Sequence, residues 1–190
     1  YLLLFMAIMA RIFLALTPGK ELNDQIIDLK KNLKTSILAD ADISWQKNSD
    51  HHITLNFVGE MEPEQIEEMY IGISEINFLS NLNISLSSVS FFPNEDSQLL
   101  AVIIKPTNQL QKVFEKIDEV VTKIGFGSSL KNYRPHITLG RFKDKSRPDF
   151  SFEDFSELSI NSKINALDVY ESEFDQGKTL YTCLKTFDFS

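Results

Sequence analysis

A single cysteine, Cys183, in 190 residues excludes an internal disulfide and a thiolate metal site, and with them the disulfide-stapled secreted scaffolds and the zinc ribbons. Excess basic charge is missing too. Nineteen Lys and Arg against 27 Asp and Glu give a formal net charge of −8. That excludes a protein that coats nucleic acid through a broad basic face, because such binding works by neutralising many phosphates. A small, local phosphate pocket stays compatible. Long apolar runs are also lacking: the apolar stretch Tyr1 to Ala10 has no basic residue before it, and Arg11 ends it far short of the roughly 20 residues that span a bilayer. It is not read as a membrane anchor, and a reducing cytoplasm is the expected location. Residues 1–10 are read as an N-terminal extension. Met9 just before a clear strand leaves two readings open, a natural start at Met9 or an apolar segment native to the chain.

What the chain does contain is ample apolar material, 43% hydrophobic and 11% aromatic, enough for residues 11–190 to fold as one domain. Arg11-Ile12-Phe13-Leu14-Ala15-Leu16 reads as a buried strand, and Thr17-Pro18 as a helix cap with proline at the first helical position. Leu22, Ile26, Leu29, Leu33 and Ile37 then form one apolar stripe to about residue 38. After a polar loop, residues 53–58 alternate apolar and polar as a half-buried strand, and Pro63 opens a helix with Ile66, Met69, Tyr70, Ile73 and Ile76 inward. Glu62, Glu64, Glu67 and Glu68 suit that helix's start and exposed face. Residues 82–89 and 99–105 flank the turn-rich 93–97 as an antiparallel hairpin. A further helix is capped by Thr107, buries Leu110, Val113, Phe114, Ile117, Val121 and Ile124, and ends at Gly125. Strands at 136–142, 163–173 and 179–187 complete an α+β chain.

This order hides a repeat. Strand, turn with Pro and Thr, helix, polar loop and His-Ile-Thr-Leu occur at 11–55 and again at 99–139. The expectation is a bilobal fold of two pseudo-twofold related lobes, each an antiparallel sheet with flanking helices, and a groove between them. In a strand His52 and Thr54 share one face while Ile53 and Leu55 take the other, and the same holds for His136 and Thr138. Burying the aliphatic pairs presents two imidazoles and two hydroxyls to the groove. Imidazole titrates near neutrality, so two of them can divide general acid and general base duty, while threonine hydroxyls donate to phosphate oxygens. A lone strand histidine is ordinarily a hydrogen-bonded structural residue; repetition in equivalent contexts is what argues otherwise. Neither motif sets an Asp or Glu beside its histidine at a familiar ligand spacing, so no metal and no cofactor are expected. Arg134 either adds charge at the phosphate or is a solvated loop residue. His51 is read as a loop histidine pointing away from His52, and Arg141 and Lys143 as solvated. Phe57, Phe142 and Tyr133 either stack on a base or belong to the core.

The paired motifs His52-Ile53-Thr54-Leu55 and His136-Ile137-Thr138-Leu139 resemble those of the two-histidine phosphoesterase superfamily. Within it the chain is most similar to the bacterial and archaeal RNA 2′,3′-cyclic phosphodiesterases, once described as RNA 2′-5′ ligases. Residues 11–16, the Arg134-Pro135-His136 lead-in, Tyr170-Glu171-Ser172 and Gly177-Lys178-Thr179-Leu180-Tyr181 carry that narrower likeness, which spans residues 11 to about 187. The resemblance implies metal-independent hydrolysis of RNA 3′ ends bearing a 2′,3′-cyclic phosphate, or of cyclic nucleotides, to 2′-phosphomonoesters. It further implies His52 as proton donor to the departing 3′ oxygen, His136 as proton acceptor from water, and Thr54 and Thr138 as phosphate ligands. Two other readings keep the same groove: a relative acting on 2′-5′-linked oligonucleotides or another cyclic phosphate, and a non-catalytic module that captures RNA ends. With no heptad run or exposed apolar helix face, a monomer is expected.

Overall fold

The computed structural model describes residues 9–36, 38–78, 82–129, 133–143, 152, 155–158 and 160–189. Among these the chain runs β1 (Ala10–Leu16), α1 (Lys20–Thr35), β2 (Ile43–Trp45), β3 (Ile53–Met61), α2 (Pro63–Ser74), β4 (Leu82–Phe92), β5 (Leu99–Ile104), α3 (Asn108–Lys123), β6 (His136–Phe142), β7 (Ile160–Ile164), β8 (Ala166–Asp175) and β9 (Lys178–Asp188). The class is α+β, as expected. Residues 1–8 of the N-terminal extension, and Ile37 at the end of the expected helical stripe, lie outside the described residues.

The strands join in the order β7-β4-β5-β6-β3-β1-β8-β9, with β2 attached to β6. This order reads as two four-stranded halves about an axis between β6 and β3, where the only ladder pair is Ile53 with Ile137. The repeat seen in the sequence is therefore a repeat in space, with β1-α1-β3 matching β5-α3-β6. Its register agrees residue for residue: Ala15 pairs with Thr54 and Asp168, and Ala101 with Thr138 and Ser90.

One apolar core runs through both halves, from Leu14 and Leu16 of β1 through Ile53, Leu55, Ile137 and Leu139 to Leu100 and Val102 of β5. The helices seal it. α1 buries Leu22, Ile26, Leu29 and Leu33; α2 buries Met69 and Ile73 and starts with a capping box between Glu62 and Gln65. α3 buries Leu110, Phe114, Ile117, Val120 and Val121, and its cap is Thr107, whose Oγ1 accepts from the Leu110 N–H at 3.1 Å.

Four expectations need correction. The Thr17 side chain does not cap α1, which starts at Lys20 behind Gly19; its hydroxyl bonds the Tyr170 hydroxyl at 2.8 Å instead. The loop before His51 contains β2, a strand too short to read in sequence. The strand expected at 163–173 is two. β7 pairs with β4 and β8 with β1, and the chain changes halves at Asn165, whose carbonyl leaves the ladder to accept from Phe189 N–H at 2.6 Å. Finally, the alternation over 53–58 breaks. The β1 ladder shifts register so that Ala15 faces Thr54 and Leu14 faces Asn56, leaving Leu55 as a bulged residue. Asn56 is thereby buried and Phe57 exposed, because an extra residue rotates the strand behind it. β6 bulges at the equivalent place: Ala101 faces Thr138 and Leu100 faces Gly140, so Gly140 is buried and Arg141 exposed.

Candidate active site

The pair Ile53–Ile137 fixes the site. In an antiparallel ladder, counting outward from it sets Thr54 across from His136 and His52 across from Thr138, with side chains on the face opposite the two isoleucines. Ile53, Ile137 and Leu139 are fully buried and Leu55 nearly so, while His52, Thr54, His136 and Thr138 are each partly exposed. Two antiparallel copies of one tetrapeptide thus give two half-sites, each a histidine from one copy beside a threonine from the other.

Both imidazoles are held alike. His52 Nδ1 lies 2.8 Å from the Asp50 carbonyl and His136 Nδ1 2.9 Å from the Arg134 carbonyl. A carbonyl only accepts, so each Nδ1 carries a hydrogen and each Nε2 is left to give or take a proton. Burial is the main cause that lowers both pKa values from the ordinary 6.5. The smaller effects differ in sign. At His52 the Asp50 carbonyl bond and the Asp50 charge push up while the charge of His136 pushes down. At His136 the Arg134 carbonyl pushes up and the Arg134 charge pushes down.

Aromatic rings wall the two histidines. His52 lies among Phe13 (centroids 5.1 Å apart), Tyr181 (5.5 Å, edge-on) and Tyr170 (6.2 Å). His136 stacks on Phe92 at 3.7 Å, with the Arg134 guanidinium 5.3 Å from the same ring. Phe92 and Tyr170 are twofold equivalents, each set by its ladder against a matching position, Leu99 and Phe13.

Beyond the shared isoleucine pair the strands splay, and the two gaps are filled differently. Beside β6, β2 inserts: Ile43, Ser44 and Trp45 pair with Phe142, Arg141 and Gly140, and Gln46 N–H donates to the Leu139 carbonyl at 2.9 Å. Position 140 is glycine for a visible reason. A Cβ there would lie 2.8 Å from Ile43 Cγ2, 3.0 Å from the Ser44 carbonyl oxygen and 3.2 Å from Trp45 Cα. Beside β3 the described residues leave the matching gap as a cleft of about 190 Å³ lined by Thr54 to Phe57, Phe92, Phe114, Ser129, Tyr133, Arg134 and His136.

The site holds residues that periodicity did not reveal. His51 lies in a loop, as expected, but it is buried, at 2% exposure. Its Nε2 accepts from Lys30 Nζ at 3.1 Å and its Nδ1 donates to Asn23 Oδ1 at 2.7 Å. Lys30 Nζ also donates to the Gln46 carbonyl at 2.8 Å and Asn23 Nδ2 to the Asn48 carbonyl at 3.1 Å, so α1 clamps the loop whose Asp50 carbonyl orients His52. Burial, helped by the Lys30 charge, lowers His51 to about 4; burial, then the Lys34 charge, lowers Lys30 to about 8. Arg134 is exposed on the cleft rim, its Nη2 donating to the Pro93 carbonyl at 2.7 Å. Lys143 is solvated as expected and pairs with Asp42 at 2.8 Å. Of the three aromatics considered for stacking, Phe142 is buried core, Tyr133 packs on Phe114 at the cleft, and Phe57 is 69% exposed. Among the described residues no three His, Cys, Asp or Glu side chains gather as metal ligands, and no helix is long and apolar enough to cross a membrane.

Comparison with known proteins agrees with this geometry. The profile of the LigT like Phosphoesterase family matches residues 16–101, a stretch that contains the first motif. An RNA 2′,3′-cyclic phosphodiesterase of Methanocaldococcus jannaschii is 24% identical over 182 residues, covering 92% of this chain and 98% of that protein. One from Archaeoglobus fulgidus is 27% identical over 157 residues, 79% of this chain and 86% of that one. The crystal structure of E. coli LigT complexed with 3′-AMP superposes with a TM-score of 0.76 at 20% identity, over 96% of this chain and 99% of that one. With both histidine motifs at the centre of its twofold fold, the chain is similar in sequence to the LigT like phosphoesterases and shares the fold of E. coli LigT.

Proposed function

We propose that the protein hydrolyses RNA 2′,3′-cyclic phosphate ends to 2′-phosphomonoesters, without a metal, using His52 as general acid and His136 as general base. The register of Ile53 on Ile137 supports this reading, because strand alternation from that pair puts His52, Thr54, His136 and Thr138 on one face of the sheet. Water attacks phosphorus as His136 Nε2 takes its proton. The bond from phosphorus to O3′ breaks as His52 Nε2–H protonates the leaving oxygen, and the phosphate remains on O2′. Thr54 and Thr138 donate to the non-bridging oxygens as charge builds on them, and Arg134 adds positive charge at the rim.

The smaller influences on the two rings support the division of labour. Asp50 favours a charged His52, the form an acid needs, whereas at His136 the Arg134 carbonyl favours the charged ring and the Arg134 guanidinium the neutral one, the form a base needs. The rings themselves oppose being charged together, since the His136 charge lowers His52. The E. coli relative crystallised with 3′-AMP is consistent with a ribonucleotide phosphate as the ligand. Phosphorus NMR of a 2′,3′-cyclic nucleotide with catalytic protein in excess EDTA tests the proposal. A 2′-monoester should appear with the unaltered protein and not with His136→Ala. An unchanged cyclic signal contradicts it and directs attention to 2′-5′-linked substrates; stoichiometric binding without product favours an RNA-end capture module.

A further inference from the structure

The open cleft carries an inference that rests on the function proposed above. We infer that it is a base-recognition subsite, in which the nucleobase attached to the reacting ribose enters beside Thr54 and His136 and is read by Asn56 and Tyr133.

Three observations converge. First, the cleft is the twofold counterpart of a gap that the fold fills elsewhere with β2. Position 140, where the chain packs solidly, is a glycine with no room for a Cβ; the equivalent position 56 carries an amide. Second, that amide is incompletely satisfied. Asn56 is 2% exposed and its Nδ2 donates to Asp118 Oδ1 at 3.3 Å, yet its Oδ1 is shielded from solvent and has no hydrogen-bond partner. The Tyr133 hydroxyl on the other wall is buried and unpartnered as well. Buried polar atoms are nearly always paired, so two orphans lining one cleft point to a ligand that pairs them. Third, the remaining surface suits a flat ring. The exposed Phe57 and the Phe92 ring beneath His136 line the same space, and a base with its π-face on an aromatic is a common mode of single-strand recognition. A space of about 190 Å³ is below the roughly 300 Å³ at which drug-sized sites begin, and fits one heterocycle.

The chemistry sets what is read. Asn56 Oδ1 only accepts, so it selects a base edge that presents an N–H; the Tyr133 hydroxyl, donor or acceptor, serves the neighbouring group on that edge. A site built to pair a donor rejects an analogue lacking it, since the acceptor is then left buried and unpaired.

The test compares three kinds of substrate: adenosine and uridine 2′,3′-cyclic phosphates, the same two with their Watson–Crick N–H groups methylated (N6,N6-dimethyladenosine and N3-methyluridine), and a base-less ribose 2′,3′-cyclic phosphate. For at least one base the unaltered protein should prefer the unmethylated form about tenfold in kcat/KM, expressed in KM. Asn56→Leu should erase that preference and lose at least tenfold more on the base-bearing substrate than on the base-less one. Asp118 keeps the Ser128 hydroxyl and Ser129 N–H at 2.6 Å each, so the variant retains its anchor. Should it fail to fold, Tyr133→Phe removes an atom with no protein partner and should weaken the same preference. Equal use of methylated and unmethylated bases by the unaltered protein overturns the inference, as does an equal loss on base-less and base-bearing substrates. If nothing is turned over, the function proposed above fails by itself, and calorimetric binding of the matching nucleoside 2′-monophosphates decides the subsite by the same preference.

Discussion

The two half-sites are alike in backbone and unlike in charge and filling, and the contrast separates what chemistry requires twice from what it requires once. Both halves repeat the motif, the bulge after threonine and the Nδ1 bond to the carbonyl two residues upstream. Those shared features leave the Nε2 of each ring without a backbone tether. The differences lie in the lead-ins and in the two gaps. The first histidine is preceded by Asp50-His51, with His51 sunk against Lys30; the second is preceded by Arg134-Pro135, with Pro135 buried and its carbonyl accepting from Ile104 N–H at 3.0 Å. One gap is plugged by β2, and the other is left as a cleft by the described residues. In the proposed mechanism the symmetric scaffold supplies the phosphate site, and its asymmetric lead-ins supply direction.

The largest effect should come from removing either ring. His52→Ala and His136→Ala are each expected to lower kcat about 10²–10⁴-fold with little change in melting temperature, measured on a 2′,3′-cyclic nucleotide. Equal retention of activity by either variant would break the equivalence of the two halves.

Next in size is an acid-stability effect of His51, whose place in the second half is taken by Pro135. His51 titrates near 4 when folded and near 6.5 when unfolded, so between those values the unfolded chain binds more protons. Stability is therefore lost as pH falls from about 6.5 to about 4, by up to roughly 3 kcal/mol. His51→Gln should flatten that part of the profile in urea titrations at several pH values.

Filling the tight half should cost less. Gly140→Ala presses a methyl group on Ile43, Ser44 and Trp45 and is expected to destabilise by about 1–3 kcal/mol, seen as a lower urea midpoint.

The smallest effects sharpen the comparison most. Arg134→Met removes a charge that lowers His136, so the acid limb of kcat/KM should move to higher pH. Asp50→Asn removes a charge that raises His52, so the alkaline limb should move to lower pH. Shifts of the same limb in both variants would contradict the separate roles.

Much of this was legible in the sequence because a repeat needs no tertiary information. An identical tetrapeptide at matching places, with helical stripes between, announced two halves and four site residues. The rest depended on neighbours far along the chain. Alternation placed Asn56 outward with Thr54, and only the pairing with β1 creates the bulge that turns it in. β2 has three residues and no period of its own; its partner β6 defines it. His51 read as a loop histidine, and its burial could not be seen, since it depends on a hydrogen bond from Lys30, 21 residues away. Thr17 looked like a cap until Tyr170, from β8, took its hydroxyl.

The division of labour between His52 and His136 is tested most directly with a cyclic substrate in which sulfur replaces the bridging 3′ oxygen, since a thiolate leaves without a proton. On that substrate His52→Ala should recover to within about tenfold of the unaltered protein, while His136→Ala should stay as impaired as on the oxygen substrate. Equal impairment of both variants on the sulfur substrate, or rescue of His136→Ala instead, would contradict the assignment.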